Sequence, residues 1–384
     1  MKLKHLLLLT SIVFLQISFA YDVWNPKSNF GGVGRHRGTG IAIGTKGYIG
    51  LGHYNGAGPN IMLADWWEYD PSTNSWSQKA NYPFPSYAAT QFSIGSKAYV
   101  GTGVSAGNQF FAYDPIANSW TAIAPVPAGN TDCIGFAING KGYYLNWGSF
   151  YEYDPITNAW TTKSAPPFST SSWSSTFVIN GKGYVKTGSS LYEYKPATDQ
   201  WIYRAPFPGV ATGGSACFAI RGKGYIVSGY IGWLSELTDE VWEFDPTTNS
   251  WALMEEFPAN KRRFSASFAI GNKGYVGIGT NGTNFTDFWE FDEYLAIANE
   301  IADGISVFPN PSSNQVNFNI PENQNAQINN LTLKLYDISG RLVRNETLVT
   351  GNNVISTHEL ELGVYLYQIL SEDEELRQGK LIFQ

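Results

Sequence analysis

Hydrophobic and small or polar residues alternate in short bursts along most of this chain. From Phe264 the apolar positions are Phe264, Ala266, Phe268 and Ile270, with Ser265, Ser267 and Ala269 between them. A period of two predicts a strand with one buried face. Gly271-Asn272-Lys273-Gly274 follows, and residues of this kind reach the positive φ that a tight hairpin needs. Tyr275, Gly277 and Gly279 continue as a second strand, where absent side chains let a neighbouring sheet come close. After a loop, Phe288-Trp289-Glu290-Phe291 reads as a third strand.

This order recurs. Earlier versions of the third strand run on into a turn and a tryptophan, as WWEYDPSTNSW (Trp66 to Trp76), FFAYDPIANSW (Phe110 to Trp120), FYEYDPITNAW (Phe150 to Trp160), LYEYKPATDQW (Leu191 to Trp201) and VWEFDPTTNSW (Val241 to Trp251). In Asp-Pro-x-Thr-Asn the proline presets φ, the aspartate bonds the backbone ahead, and the asparagine tolerates the left-handed region. The tryptophan after it begins a fourth strand, with bulk enough to fill the wedge between adjacent sheets. The mean spacing of about 44 residues lies in the range of propeller blades. The last copy, ending near Glu293, lacks its fourth strand. Trp24 to Phe30 matches Trp76 to Tyr82 in spacing, so the N-terminal segment is expected to supply that strand and close the ring. The predicted fold is all-β: a six-bladed β-propeller over residues 21–295, a linker at 296–304, and a small immunoglobulin-like β-sandwich at 305–384. Residues 1–20, a basic start followed by an apolar run and Ser18-Phe19-Ala20, read as a secretory signal peptide. No other segment is apolar and long enough for a transmembrane helix.

Composition sharpens this. Of the 384 residues, 15% are aromatic and 15% are charged, a balance that suits an all-β repeat protein. The net charge of −7 argues against nucleic acid as a partner. The two cysteines, Cys133 and Cys217, fall on innermost strands of non-adjacent blades, and free thiols are expected.

The Gly-rich second strand, the aromatic third strand and the following tryptophan resemble the kelch-repeat family, with Gly-x-Gly (Gly50-Leu51-Gly52, Gly101-Thr102-Gly103, Gly277-Ile278-Gly279) in place of the usual double glycine. A copper oxidase of that family would need more histidine ligands than His36 and His53 provide, so no metal or other cofactor is expected. The tail, with Val307-Phe308-Pro309-Asn310-Pro311, Leu335-Tyr336-Asp337-Ile338-Ser339-Gly340-Arg341, Gly363-Val364-Tyr365 and Gly379-Lys380-Leu381-Ile382, resembles the C-terminal sorting domain of type IX secretion cargo. That resemblance implies contact with the type IX machinery and delivery, via the periplasm, to the outer cell surface or the medium of a Bacteroidota-type bacterium.

Loop lengths point to one face. The second-to-third-strand loops are long in blades five, six and one, which are neighbours in a closed ring, and short in blades three and four. The starts of the innermost strands open on the same face. There Arg35-His36-Arg37 and Arg262-Arg263-Phe264 align with Ser86-Tyr87-Ala88, Asn130-Thr131-Asp132, Ser171-Ser172-Trp173 and Thr212-Gly213-Gly214. Arg35, His36, Arg37, Arg262 and Arg263 are therefore candidate ligands for a carboxylate or sulfate, and Tyr54, Tyr87, Trp173 and Trp233 candidate stacking surfaces for a sugar or peptide. The competing reading makes these arginines structural, paired with loop carbonyls or Asp132. No catalytic motif is present. The expected function is a binding module for a glycan or protein on the loop face. The alternatives are a carbohydrate-active propeller, such as a sialic-acid mutarotase, and a structural adhesion module.

Overall fold

A computed structural model of the chain describes residues 23–55, 60–170, 174–211, 213–232, 236–292, 304–321, 331–371 and 374–384. The expected signal peptide, most of the expected linker, Trp173 and Trp233 lie outside the described residues. The chain divides into two compact units, Trp24–Asp292 and Glu293–Gln384 together with Met1–Val23.

Trp24–Asp292 is a β-propeller. Its six four-stranded sheets are antiparallel meanders, with innermost strands Thr39–Ile43, Thr90–Ile94, Ile134–Ile138, Ser175–Ile179, Ala216–Ile220 and Ala266–Ile270. Each innermost strand lies against the next, and the last lies against the first, so the ring is closed. The sheets are numbered here as blades one to six in that order. The fourth strand of blade six is Trp24–Lys27, paired antiparallel with Phe288–Phe291 so that Trp24 faces Phe291 and Lys27 faces Phe288. The N-terminal segment thus closes the ring as its spacing predicts.

Three repeated contacts hold neighbouring blades together. The first is a glycine under a ring. A Cβ on Gly142 would sit 2.2 Å from the Phe92 ring of the preceding blade, and one on Gly47, Gly183, Gly224 or Gly274 would meet Phe268, Phe136, Phe177 or Phe218 at 2.1 to 2.6 Å. The second is the Asp-Pro-x-Thr-Asn turn. Asn118 is left-handed (φ 46°), and its Oδ1 accepts from the Tyr113 hydroxyl and from the Ala80 N–H of the preceding blade, both at 2.9 Å. Trp120 Nε1 donates back to the Ala80 carbonyl at 2.9 Å. Asn74 makes the same latch onto Ser28, beside the closing strand. The third is a ladder of backbone bonds around the mouth of the ring. Ala88 N–H donates to Arg37 O, Asp132 N–H to Ala88 O, Phe264 N–H to Gly214 O and Arg37 N–H to Phe264 O, at 2.7 to 3.2 Å. These residues are left-handed, with φ between 54° and 67°, the geometry that aims both backbone groups along the rim.

The C-terminal unit packs a three-stranded sheet, Ser306–Phe308, Gln315–Ile320 and Gly351–Ser356, with a four-stranded one, Leu331–Asp337, Leu342–Leu348, Gly363–Ser371 and Glu374–Phe383. Alternating Val316, Phe318, Ile320 and Leu331, Leu333, Leu335 fill its core. The Asp337-Ile338-Ser339-Gly340-Arg341 turn closes on one carboxylate, which accepts from Ser339 and Arg341. Among the described residues no helix is long and apolar enough to cross a membrane.

Candidate functional site

The centre of the ring is a cavity of about 420 Å³ lined from all six blades. Its walls are mostly neutral: Gln91, Ser93, Thr176, Ser215, Ser265 and Ser267 are interspersed with alanines, Cys133, Cys217, aliphatic residues such as Ile41 and Ile134, and phenylalanines such as Phe92 and Phe136. Both cysteines are free. Burial pushes each thiol up to about 11, which keeps it protonated and a weak nucleophile.

Two charged residues line this cavity, Arg37 and Asp132. Arg37 Nη1 donates to both carboxylate oxygens of Asp132 at 2.6 Å, reaching past the small Ala88 of blade two, and the guanidinium lies 4.1 Å over the Phe264 ring. Only Nη1 is used in this pair, and both side chains keep partial exposure. The mouth therefore places a partly exposed guanidinium edge beside a carboxylate.

Arg35 and Arg262 do something else, and the expectation that they meet a ligand is corrected. Both are fully buried. Arg262 pairs bidentately with Asp287 at 2.6 and 2.7 Å and donates to the Asn260 and Ile278 carbonyls. Arg35 pairs in the same way with Asp65 and donates to the Val33 and Leu51 carbonyls. Each carboxylate also accepts from a tryptophan two residues on, Trp67 or Trp289. These are pins between loops, with both guanidinium groups shut off from solvent. Burial alone would raise the Asp65 carboxyl, but the bonds and charge of Arg35 outweigh it and hold its pKa below the usual value.

His36 and Tyr87 flank a histidine that sequence reasoning set aside. His36 exchanges backbone bonds with His53, and their rings are 4.0 Å apart. His53 stacks in turn on Tyr87 at 4.1 Å. His36 Nδ1 meets Asn284 Oδ1 at 2.8 Å, which ties blade six to blade one. Burial, followed by the charges of Arg37 and Arg263, lowers the His36 pKa although the Asn284 bond works against it. His36 is accordingly a mostly buried group whose Nδ1 is taken up by Asn284.

Arg263 is half-buried and lies over the Tyr230 ring at 4.8 Å. Tyr54 is half-buried on the His53–Asn55 strand, opposite Ile61. The structure thus brings Arg37, Tyr87 and Arg263 to the rim, adds Asp132, and turns Arg35 and Arg262 inward. Sequence reasoning also passed over Trp147. The signal for the pins was present, since an arginine at the strand start and an Asp-x-Trp later occur together only in blades one and six.

Residues 306–384 match the family described as "Secretion system C-terminal sorting domain" (Por_Secre_tail). The C-terminal unit marks the protein for export by the type IX system, to the cell surface or the medium. No curated protein matches the chain. Among solved structures, that of YjhT is similar in fold, with a TM-score of 0.58 at 17% identity, over 70% of this chain and 96% of that one.

Proposed function

We propose that the exported propeller is a kelch-type binding module that holds a glycan at the mouth of its central cavity. The observation that carries this reading is the Arg37–Asp132 pair above walls in which serine, threonine and glutamine are interspersed with apolar residues. A guanidinium edge and a carboxylate side by side donate to and accept from the hydroxyls of one sugar. The neutral hydroxyl lining beneath them suits the rest of a small polar ring. Aromatic faces at Phe264 and Tyr87 border the same opening.

A protein partner is the second reading. Exposed Ile61 and Met62 of blade one and Val104 of blade two favour it, with Ser105 Oγ 3.8 Å from Met62 Sδ joining the two loops. The test is a glycan-array screen of the purified full chain beside Arg37→Ala and Asp132→Asn. Binding by the parent that both variants lose, with unchanged melting temperatures, supports a glycan at the mouth. Binding that survives both variants removes the mouth as the site. No binding by the parent moves the weight to the protein partner.

A further inference from the structure

The loop face carries a tryptophan that the fold does not explain. In blade three the middle hairpin joins Lys141–Asn146 to Ser149–Asp154 through Trp147-Gly148, with Asn146 paired to Ser149. In blade four the matching hairpin closes through Gly188-Ser189, with Thr187 paired to Ser190. The first loop residue is left-handed in both, at φ 52° for Trp147 and 57° for Gly188. Glycine adopts that conformation freely, whereas a large side chain is strained there. The left-handed residues at this place in the other four blades, Leu51, Thr102, Ser228 and Ile278, are buried. Trp147 is 52% exposed. Among the described residues its indole makes no hydrogen bond or ring contact. The side chain therefore carries backbone strain without gaining burial, the combination from which a binding role is inferred.

Its surroundings indicate the ligand. Asn146 Nδ2 donates to the Ala128 carbonyl at 2.9 Å, and Cys133 Sγ approaches Asn146 Oδ1 at 3.6 Å, so the residue before Trp147 touches the residue after Asp132. Thr170, whose N–H donates to the Trp147 carbonyl at 2.7 Å, is only 5% exposed, and its hydroxyl has no partner among the described residues. The chain neighbours of Trp147, namely Asn146, Gly148 and Ser149, are polar or small, which suits a hydroxyl-rich ligand. We infer that Trp147 is a stacking platform for a second sugar ring. The ligand is then an oligosaccharide, running from the Arg37–Asp132 mouth outward over blade three, on the side where the loops are short. This rests on the glycan reading above.

The test uses the full chain, Trp147→Gly and Trp147→Phe. Calorimetric titrations take cellotriose, triacetylchitotriose and sialyllactose, each beside its constituent monosaccharides. Glycine relieves the strain, so Trp147→Gly is expected to melt at or above the parent temperature. It is expected to weaken the bound trisaccharide about tenfold while leaving monosaccharide affinity within about twofold, with phenylalanine between the two. Trisaccharide affinity that ignores the substitution overturns the platform and leaves the glycan reading standing. So does a parallel loss for monosaccharides, or a lower melting temperature for the glycine variant. A parent chain that binds none of these sugars overturns the glycan reading and the platform together.

Discussion

His53 shows how a side chain on the rim is set by what surrounds it. It is 5% exposed, and neither ring nitrogen has a hydrogen-bond partner among the described residues. Burial, then the proximity of His36 and Arg37, pushes its pKa down to about 4 from 6.5. The groups facing this pair are the Tyr87 ring on His53, Asn284 and Arg263 on His36, and Arg37, whose charge is partly offset by Asp132. Between those two pH values the unfolded chain takes up a proton that folded His53 refuses. The contribution is complete above 6.5 and is lost as pH falls towards 4. Acidification from about pH 7 to about pH 4 is expected to lower stability through this residue by about 3 kcal/mol. His53→Phe keeps the stack and removes the titration, so its urea-unfolding free energy is expected to change less over the same window. Parallel pH profiles for parent and variant refute the assignment. Nothing in the sequence separated His53 from an exposed loop residue, because its state depends on Tyr87 and His36 arriving from two other loops. The alignment placed Arg35 and Arg37 together, yet two residues of offset along the chain turn one inward to Asp65 and leave the other at the mouth.

At the level of the strand, the sequence carries a pairing rule that becomes visible only when adjacent blades are set side by side. The glycine before the repeated tyrosine reads locally as the end of a hairpin. In the ring it is also the floor under a phenylalanine of the preceding blade. Blade two breaks the rule on both sides, with Ala98 where the others have glycine and Ile41 of blade one where the others have phenylalanine, and the two share one core cluster. Ile41→Phe alone is expected to overpack this junction at a cost of about 1 to 3 kcal/mol. Adding Ala98→Gly is expected to recover most of that loss, with a coupling energy readable from a double-mutant cycle by chemical denaturation. Simple additivity of the two changes would show that they do not face each other. The Asp-Pro-x-Thr-Asn turns follow the same logic. Their turn chemistry was legible, but their service as latches between blades was not, since Asn118 finds Ala80 only after two separate meanders have docked.

The whole ring depends on one segment far from its partner in the chain. Trp24 is buried with its ring 5.0 Å from Phe257 and 4.9 Å from Phe291, Lys27 pairs with Glu290 at 3.0 Å, and Ser28 takes the Asn74 latch. Phe30 packs on Trp67 and Trp76 as Tyr82 packs on Phe111 and Trp120 one blade later. That equivalence was readable from spacing alone, because a repeat fixes where each residue type recurs even when one strand comes from the other end of the unit. Loss of residues 21–30 exposes the edge of blade six and unseats two buried aromatic side chains, which is expected to cost about 5 kcal/mol or more. The measurement is the melting transition of the truncated chain, alone and with a synthetic peptide of residues 21–30. Because the segment contributes a whole strand in its own register, the peptide should bind the open edge and restore much of the lost melting temperature, and Trp24→Ala in the peptide should abolish the rescue. A truncated chain that melts as the parent does would mean that blade six is stable on three strands and that the ring needs no closure from the N-terminal side.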